Sequence, residues 1–358
     1  MNRRLMAATL LVATCAPVAP GVAATTYSLT PIDGAHLAYG INDAGQVVGQ
    51  SEDLWAYVWT SETGLVDLGD LPGNNGHLSA KAVSATGQVV GSAIGVSRAF
   101  RWTDGGGMQD LGVLLGQAFS FGEDINLSGQ VVGYSGTFPN ARAYLWTSGV
   151  GMQDLGDLPG GLDLSQAKGI NDAGQVVGLS VAAAGYRAFL WAAGSGMQDL
   201  GVLPGGDYSE AFDINNAAQV VGQSRVDGTH HAFLWTAEDG MLDLGMTAGG
   251  SFSRATAISE LGVVVGVSGG PGISANRAFV WTSDQGMHDL NDLVDESAAG
   301  WTLRTAQDIN SHGQIVGWGS NPLGEQQAFL LTPVPEPSTL ALALLGAAGL
   351  VCCRRRQP

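Results

Sequence analysis

A ten-residue phrase, Gly169-Ile170-Asn171-Asp172-Ala173-Gly174-Gln175-Val176-Val177-Gly178, returns in altered form along almost the whole chain. Its copies begin at Gly40, Ala82, Asp124, Gly169, Asp213, Ala257 and Asp308. The glycine closing each copy is Gly49, Gly91, Gly133, Gly178, Gly222, Gly266 or Gly317, in steps of 42, 42, 45, 44, 44 and 51 residues. Seven copies at such a period dictate a repeat architecture, because one unit cannot bury its own apolar faces and must stack on its neighbours.

Each unit holds four short β candidates. In the fourth they run from Ser165 to Asn171, Gln175 to Ser180, Arg187 to Trp191 and Gly196 to Leu203. Segments of this length suit strands and are too short for stable helices. Asn171-Asp172-Ala173-Gly174 supplies a hairpin turn, with Gly174 free to take positive φ. In the fifth unit Ala218 holds the glycine position, which predicts a strained or altered turn.

Adjacent valines in the second strand present apolar side chains to both sheet faces. The third strand does the same: in Ala232-Phe233-Leu234-Trp235 both parities are apolar. A sheet packed on both faces fits between two neighbouring blades. Trp59, Trp102, Trp146, Trp191, Trp235 and Trp281 recur at the end of this strand, which favours core packing over a carbohydrate-binding ring. Leu331 replaces the tryptophan in the seventh unit, so looser or differently filled packing is expected there.

The seventh unit ends before its fourth strand, whereas Thr26 to Asp33 forms a strand-like segment before the first unit. These ends are complementary. The expected fold is all-β, a seven-bladed β-propeller over residues 25–332 whose N-terminal strand completes the last blade. A Gly-rich β-solenoid is the alternative, since four strands per period do not by themselves prove circular closure. The longer connection from Asp289 to Thr305 is expected to form a local cap containing Trp301.

The chain ends read as targeting segments. Met1 to Ala24 has the charged start, apolar centre and small-residue site of a secretory signal peptide. At the other end Pro335-Glu336-Pro337 precedes an apolar run from Leu340 to Cys353 and then Arg354-Arg355-Arg356. Fourteen helical residues would span roughly 21 Å, short of a bilayer core of about 30 Å. The arginines are expected to stay cytoplasmic, with the repeats on the outer side.

This tail, residues 333–358, resembles the PEP-CTERM sorting signal. The resemblance implies recognition by exosortase-type machinery at the inner membrane of a Gram-negative bacterium, before release to a surface, extracellular or biofilm setting. The repeats themselves resemble the HAF extracellular repeat family: His231-Ala232-Phe233 matches its namesake segment, and other units keep Ala-Phe or Ala-Tyr. That resemblance implies an extracellular context but no particular reaction.

Composition limits the chemistry. Residues 25–338 hold 32 acids against 10 bases and no cysteine, for a formal charge near −22. This opposes nonspecific contact with nucleic acid or anionic polymer and favours divalent cations or neutral glycans. No cofactor is implied. Asp and Asn turns leave calcium open, although no EF-hand spacing occurs. His36, His77, His230, His231, His288 and His312 are scattered and lack metal-ligand spacing.

Asp67, Asp110, Asp154, Asp199, Asp243 and Asp289 occupy equivalent repeat positions, as structural acceptors would. Arg98, Arg142, Arg187 and Arg277 recur before the aromatic strand, which suggests local ion pairing. Ser209, Asp213 and His231 contain the residue types of a catalytic trio, but related serines at Ser165 and Ser253 favour a structural role. The sequence therefore assigns no catalytic residue and no metal site. It favours a noncatalytic surface or matrix module binding polysaccharide or a surface protein; the alternative is a carbohydrate hydrolase or lyase acting at the propeller mouth.

Overall fold

The computed structural model describes residues 25–335 apart from Phe138. Among them are seven four-stranded antiparallel sheets, one per repeat. Blade 5 is representative, with inner strand Gly206–Ile214, second strand Val220–Val226, third strand Thr229–Thr236 and outer strand Gly240–Asp243. The outer strand is shorter than the sequence pattern suggests. Asp243 Oδ1 accepts the Gly245 N–H at 2.8 Å and turns the chain away. Asp67, Asp110, Asp154, Asp199 and Asp289 make the same turn, so the repeated acids are structural.

Each inner strand lies against the inner strands of both neighbouring blades, including blade 7 against blade 1. This closes the ring and excludes an open solenoid. Blade 7 consists of Thr302–Ile309, Ile315–Ser320, Gln326–Val334 and, as its outer strand, the N-terminal Thr26–Pro31. Leu29 pairs with Leu331 and Ser28 with Thr332, so the two ends of the repeat array lie antiparallel in one sheet. Pro31 ends the outermost strand, where its missing N–H costs no interior ladder bond.

Seven apolar clusters correspond to the seven blade interfaces. Strand parity divides each blade between two of them. Phe233 and Trp235 pack toward blade 4 beside Val177 and Ala188, whereas Ala232 and Leu234 pack toward blade 6 beside Phe279 and Trp281. The aromatic residue two places before the tryptophan, or before Leu331 in blade 7, is fully buried in every blade, from Tyr57 to Phe329. Five of the six tryptophans are at most 8% exposed, and Trp102 is partly buried.

The glycine ending each Val-Val-Gly has a steric reason. A Cβ on Gly222 would stand 2.0 Å from the Glu210 carbonyl oxygen, and the other six closing glycines give 1.9–2.1 Å from their own inner strands. That closeness coincides with a register shift in every inner strand, such as Ala211/Asp213 in blade 5. The extra residue of such a bulge bends the strand and re-aims a side chain.

The seam between blades 6 and 7 differs. A cavity of about 260 Å³ opens beside it, lined by Val280, Ile309, Leu293 and Tyr27 among others, while Leu331, in the tryptophan's place, is fully buried in the apolar cluster and does not line this cavity. The connection after blade 6 caps this seam. Its Trp301 meets Phe329 edge to face at 6.5 Å, and Tyr27 N donates to Leu293 O at 2.8 Å.

Candidate functional site

The inner strands end at one mouth of the central channel, where hydrogen bonds pass from blade to blade. The asparagine of each Ile-Asn turn works locally and across blades. Asn171 Oδ1 accepts the Gln175 N–H at 3.0 Å, while its Nδ2 donates to the Asn215 carbonyl of the next blade at 3.1 Å. Asn42, Asn126, Asn215 and Asn310 repeat the link, and Asn310 joins blade 7 to blade 1. Ser84 and Ser259 occupy this position in blades 2 and 6, with side chains too short to make it.

The mouth cavity, of about 240 Å³, carries three acids at its rim, Asp43, Asp172 and Glu260. Each caps a backbone N–H across a blade boundary. Asp43 accepts from Ser311 at 2.9 Å, Asp172 from Leu127 at 2.9 Å and Glu260 from Asn216 at 3.2 Å. These carboxylates are engaged in ring closure.

Deeper in the ring, three further aspartates occupy the position that opens the repeat phrase. Asp213 accepts the Ile214 N–H through Oδ1 at 2.7 Å and the Ile258 N–H of blade 6 through Oδ2 at 2.8 Å. Asp124 holds Ile125 and Ile170 in the same way, and Asp308 holds Ile309 and Ile41. Three carboxyls thus satisfy six of the seven equivalent amides. Seven is odd, and the amide of Val83 is left outside the pairing. Burial pushes Asp213 up to about 7 and Asp308 to about 6, nearby carboxylates add to both, and Asp124 is raised well above the ordinary range.

Below this layer a second cavity of about 260 Å³ shares no lining residue with the mouth. Seven of its lining residues, Tyr39, Lys81, Glu123, Lys168, Phe212, Thr256 and Gln307, are the extra residues of the seven inner-strand bulges. The eighth is Arg254, two residues before Thr256. The bulge that demands the closing glycine therefore also delivers one side chain per blade to the axis. Lys168 pairs with Glu123 at 3.1 Å, Lys81 lies 3.8 Å from the centre of the Tyr39 ring, and the Arg254 guanidinium is 5.6 Å from the Phe212 ring centre. Burial lowers Lys81 and Arg254; Lys168, although buried, is raised by Glu123.

The residues singled out from sequence fall elsewhere. Ser209 Oγ donates to the Gly201 carbonyl and accepts from the Ala188 N–H, Asp213 is occupied by two amides, and His231 Nδ1 meets Asp243 Oδ2 at 2.9 Å. The trio forms no catalytic relay. Local ion pairing holds for Arg98, Arg142 and Arg187, which face the repeated aspartates of their own blades at 3.8–4.0 Å. Arg277 differs: its Nη1 donates to the backbone oxygens of Ser274 and Asn276. His231 takes the arginine's place in blade 5, so the His-Ala-Phe segment is a variant of the Arg-Ala-Phe pairing. Among the described residues no three His, Cys, Asp or Glu side chains gather to hold a metal ion.

Sequence reasoning missed the cavity ring, although a signal was present. Two residues before each Ile or Val of the repeat stands a position whose chemistry changes from copy to copy: Tyr, Lys, Glu, Lys, Phe, Thr, Gln.

The fold and this axial site define the class, a seven-bladed β-propeller with repeated walls and a non-repeated interior. Virginiamycin B lyase from Staphylococcus aureus superposes with a TM-score of 0.58 at 13% identity, covering 86% of this chain and 100% of that one. A streptogramin B lyase gives 0.57 at 13% identity, covering 86% and 98%. At this identity the likeness concerns the fold. No curated protein matches the sequence. Residues 333–356 match the PEP-CTERM protein-sorting motif. Of the sorting residues, Pro335 is described and exposed; Glu336, Pro337, Arg354, Arg355 and Arg356, like the signal segment 1–24, lie outside the described residues.

Proposed function

We propose that this chain is an exported, noncatalytic binding module of the cell surface or extracellular matrix, which engages polysaccharide or another surface protein through its axial site. The observation that carries the reading is the contrast between walls and interior. Residues that build the ring recur in blade after blade, whereas the seven bulge side chains reaching the axis are of six different types. Recurrence is what folding requires, and a non-repeated set facing one cavity is what recognition requires.

The PEP-CTERM motif supports export and handling by exosortase-type machinery, with an inner-membrane stage before processing. The resemblance of the repeats to HAF units adds an extracellular setting, consistent with a biofilm or matrix role in a Gram-negative bacterium. Against the reading as a carbohydrate hydrolase or lyase stands the use of the mouth acids: Asp43, Asp172 and Glu260 cap backbone amides, and no pair of them is free for acid and base work.

A glycan array probed with residues 25–335, with and without calcium, tests the proposal. Saturable recognition of a restricted glycan class supports it. Turnover of any arrayed glycan contradicts the noncatalytic assignment, and absence of binding in both conditions removes polysaccharide as the partner.

A further inference from the structure

The whole chain contains two lysines, Lys81 and Lys168, and both line the axial cavity. Arg254 joins them, so three of the ten basic residues of the body converge on one small space in a molecule of strongly acidic composition. Charge of the minority sign gathered in this way is not a consequence of composition.

The three cations are unequally satisfied. Lys168 has Glu123 at 3.1 Å. Lys81 has no carboxylate within ion-pair distance among the described residues and rests on the Tyr39 ring. Arg254 likewise has no ion pair there; it rests on Phe212, and its buried Nε has no hydrogen-bond acceptor. Nearby carboxyls are already engaged. Glu210 accepts from Tyr208 Oη at 2.7 Å and Gln223 Nε2 at 3.0 Å, and the aspartates beneath the mouth each hold two amides. Lys81 and Arg254 are partly withdrawn from water, and Glu123 and Glu210 act on them only at a distance, so an anion with two or more oxygens supplies the direct partner that both lack.

Cavity size restricts the choice. About 260 Å³ lies just below the usual range of small-molecule pockets, which is about 300–1,000 Å³. We propose that the axial cavity binds a compact oxyanion, either free or as the acidic group of a sugar, between Lys81 and Arg254. This inference rests on the reading of the cavity as the binding site and adds the charge of its ligand. It also modifies the expectation drawn from net charge, since the acidic exterior favours cations and neutral glycans while the axis has the opposite sign.

Calorimetric titration of residues 25–335 at low salt, with D-glucuronate, sulfate and D-glucose, tests it. The strands and apolar clusters of the ring lie entirely within these residues. The expected result is saturable one-to-one binding of glucuronate or sulfate, weakened by added salt, with no binding of glucose. Sulfate alone would assign a free oxyanion, and preference for glucuronate a sugar-borne one. Lys81→Met and Arg254→Met should each weaken binding at least tenfold. Lys81→Met should keep or raise the melting temperature, because it removes a half-buried charge that has no direct ion pair among the described residues, whereas a structural lysine would lower it. Arg254→Lys, which keeps the charge and loses the planar fork, provides a second variant and should weaken binding to a smaller extent.

Failure of both anions to bind the folded wild type, or unchanged binding in both methionine variants, overturns the proposal. Retained recognition of a neutral glycan on the array by these variants would overturn the anion assignment and leave the binding-module reading intact.

Discussion

At the scale of single residues, two small side chains carry opposite lessons. Gly222 is required by contact, since any Cβ meets the Glu210 carbonyl, so Gly222→Ala should cost about 3 kcal/mol through overpacking. Ala218 occupies a turn at φ 58, where the other units place glycine. The turn keeps its left-handed geometry and is strained, so Ala218→Gly should stabilise the protein by about 1 kcal/mol. Denaturant midpoints of the two variants check both signs. Asp213 gives a third prediction. Its folded pKa is about 7 against an ordinary 3.8, so between those values the folded state holds the proton more tightly than the unfolded chain. Its contribution to stability is fully present below about pH 4 and is lost as pH rises through 7, with Asp308 acting likewise up to about 6. Asp213→Asn should flatten the fall in melting temperature across this window; an unchanged slope would contradict the assignment.

At the scale of elements, the inner strand organises the molecule. Its bulge crowds the glycine of the second strand, places one side chain on the axis and brings the following residue to the level where three aspartates bind six amides. The Asn belt then ties each turn to the next blade. Asn171→Ser should cost about 1–2 kcal/mol, because it leaves the Asn215 carbonyl without its side-chain donor. Retention of wild-type stability would show the belt to be dispensable. The four strands and their two-sided packing were legible in the sequence, because they follow from period-two alternation. The register shift was not, since one extra residue in a strand leaves no mark in a hydrophobic pattern. For that reason Asn171 reads from sequence as a local turn residue, although one of its three side-chain hydrogen bonds is to blade 5. Lys81 and Lys168 likewise read as two scattered charges, although their equivalence within the repeat places both on the axis.

At the scale of the whole molecule, closure is what turns seven similar sheets into a ring with an interior. Without the pairing of Thr26–Pro31 and Gln326–Val334, the apolar faces of blades 7 and 1 would lack one partner strand and the axial residues would not be held facing one another. Closure depends on residues nearly the full length of the body apart, and it is directly accessible to measurement because residues 25–338 contain no cysteine. Ser28 and Thr332 are directly opposed and partly exposed, and opposed antiparallel residues have Cα atoms about 4.5–5.5 Å apart, within disulfide reach. Ser28→Cys with Thr332→Cys, introduced into residues 25–335, should oxidise to a single intramolecular disulfide, leave no titratable thiol in the native state and raise the unfolding midpoint. Two freely reactive thiols under the same oxidising conditions would contradict the closed ring, and with it the axial site built on that ring.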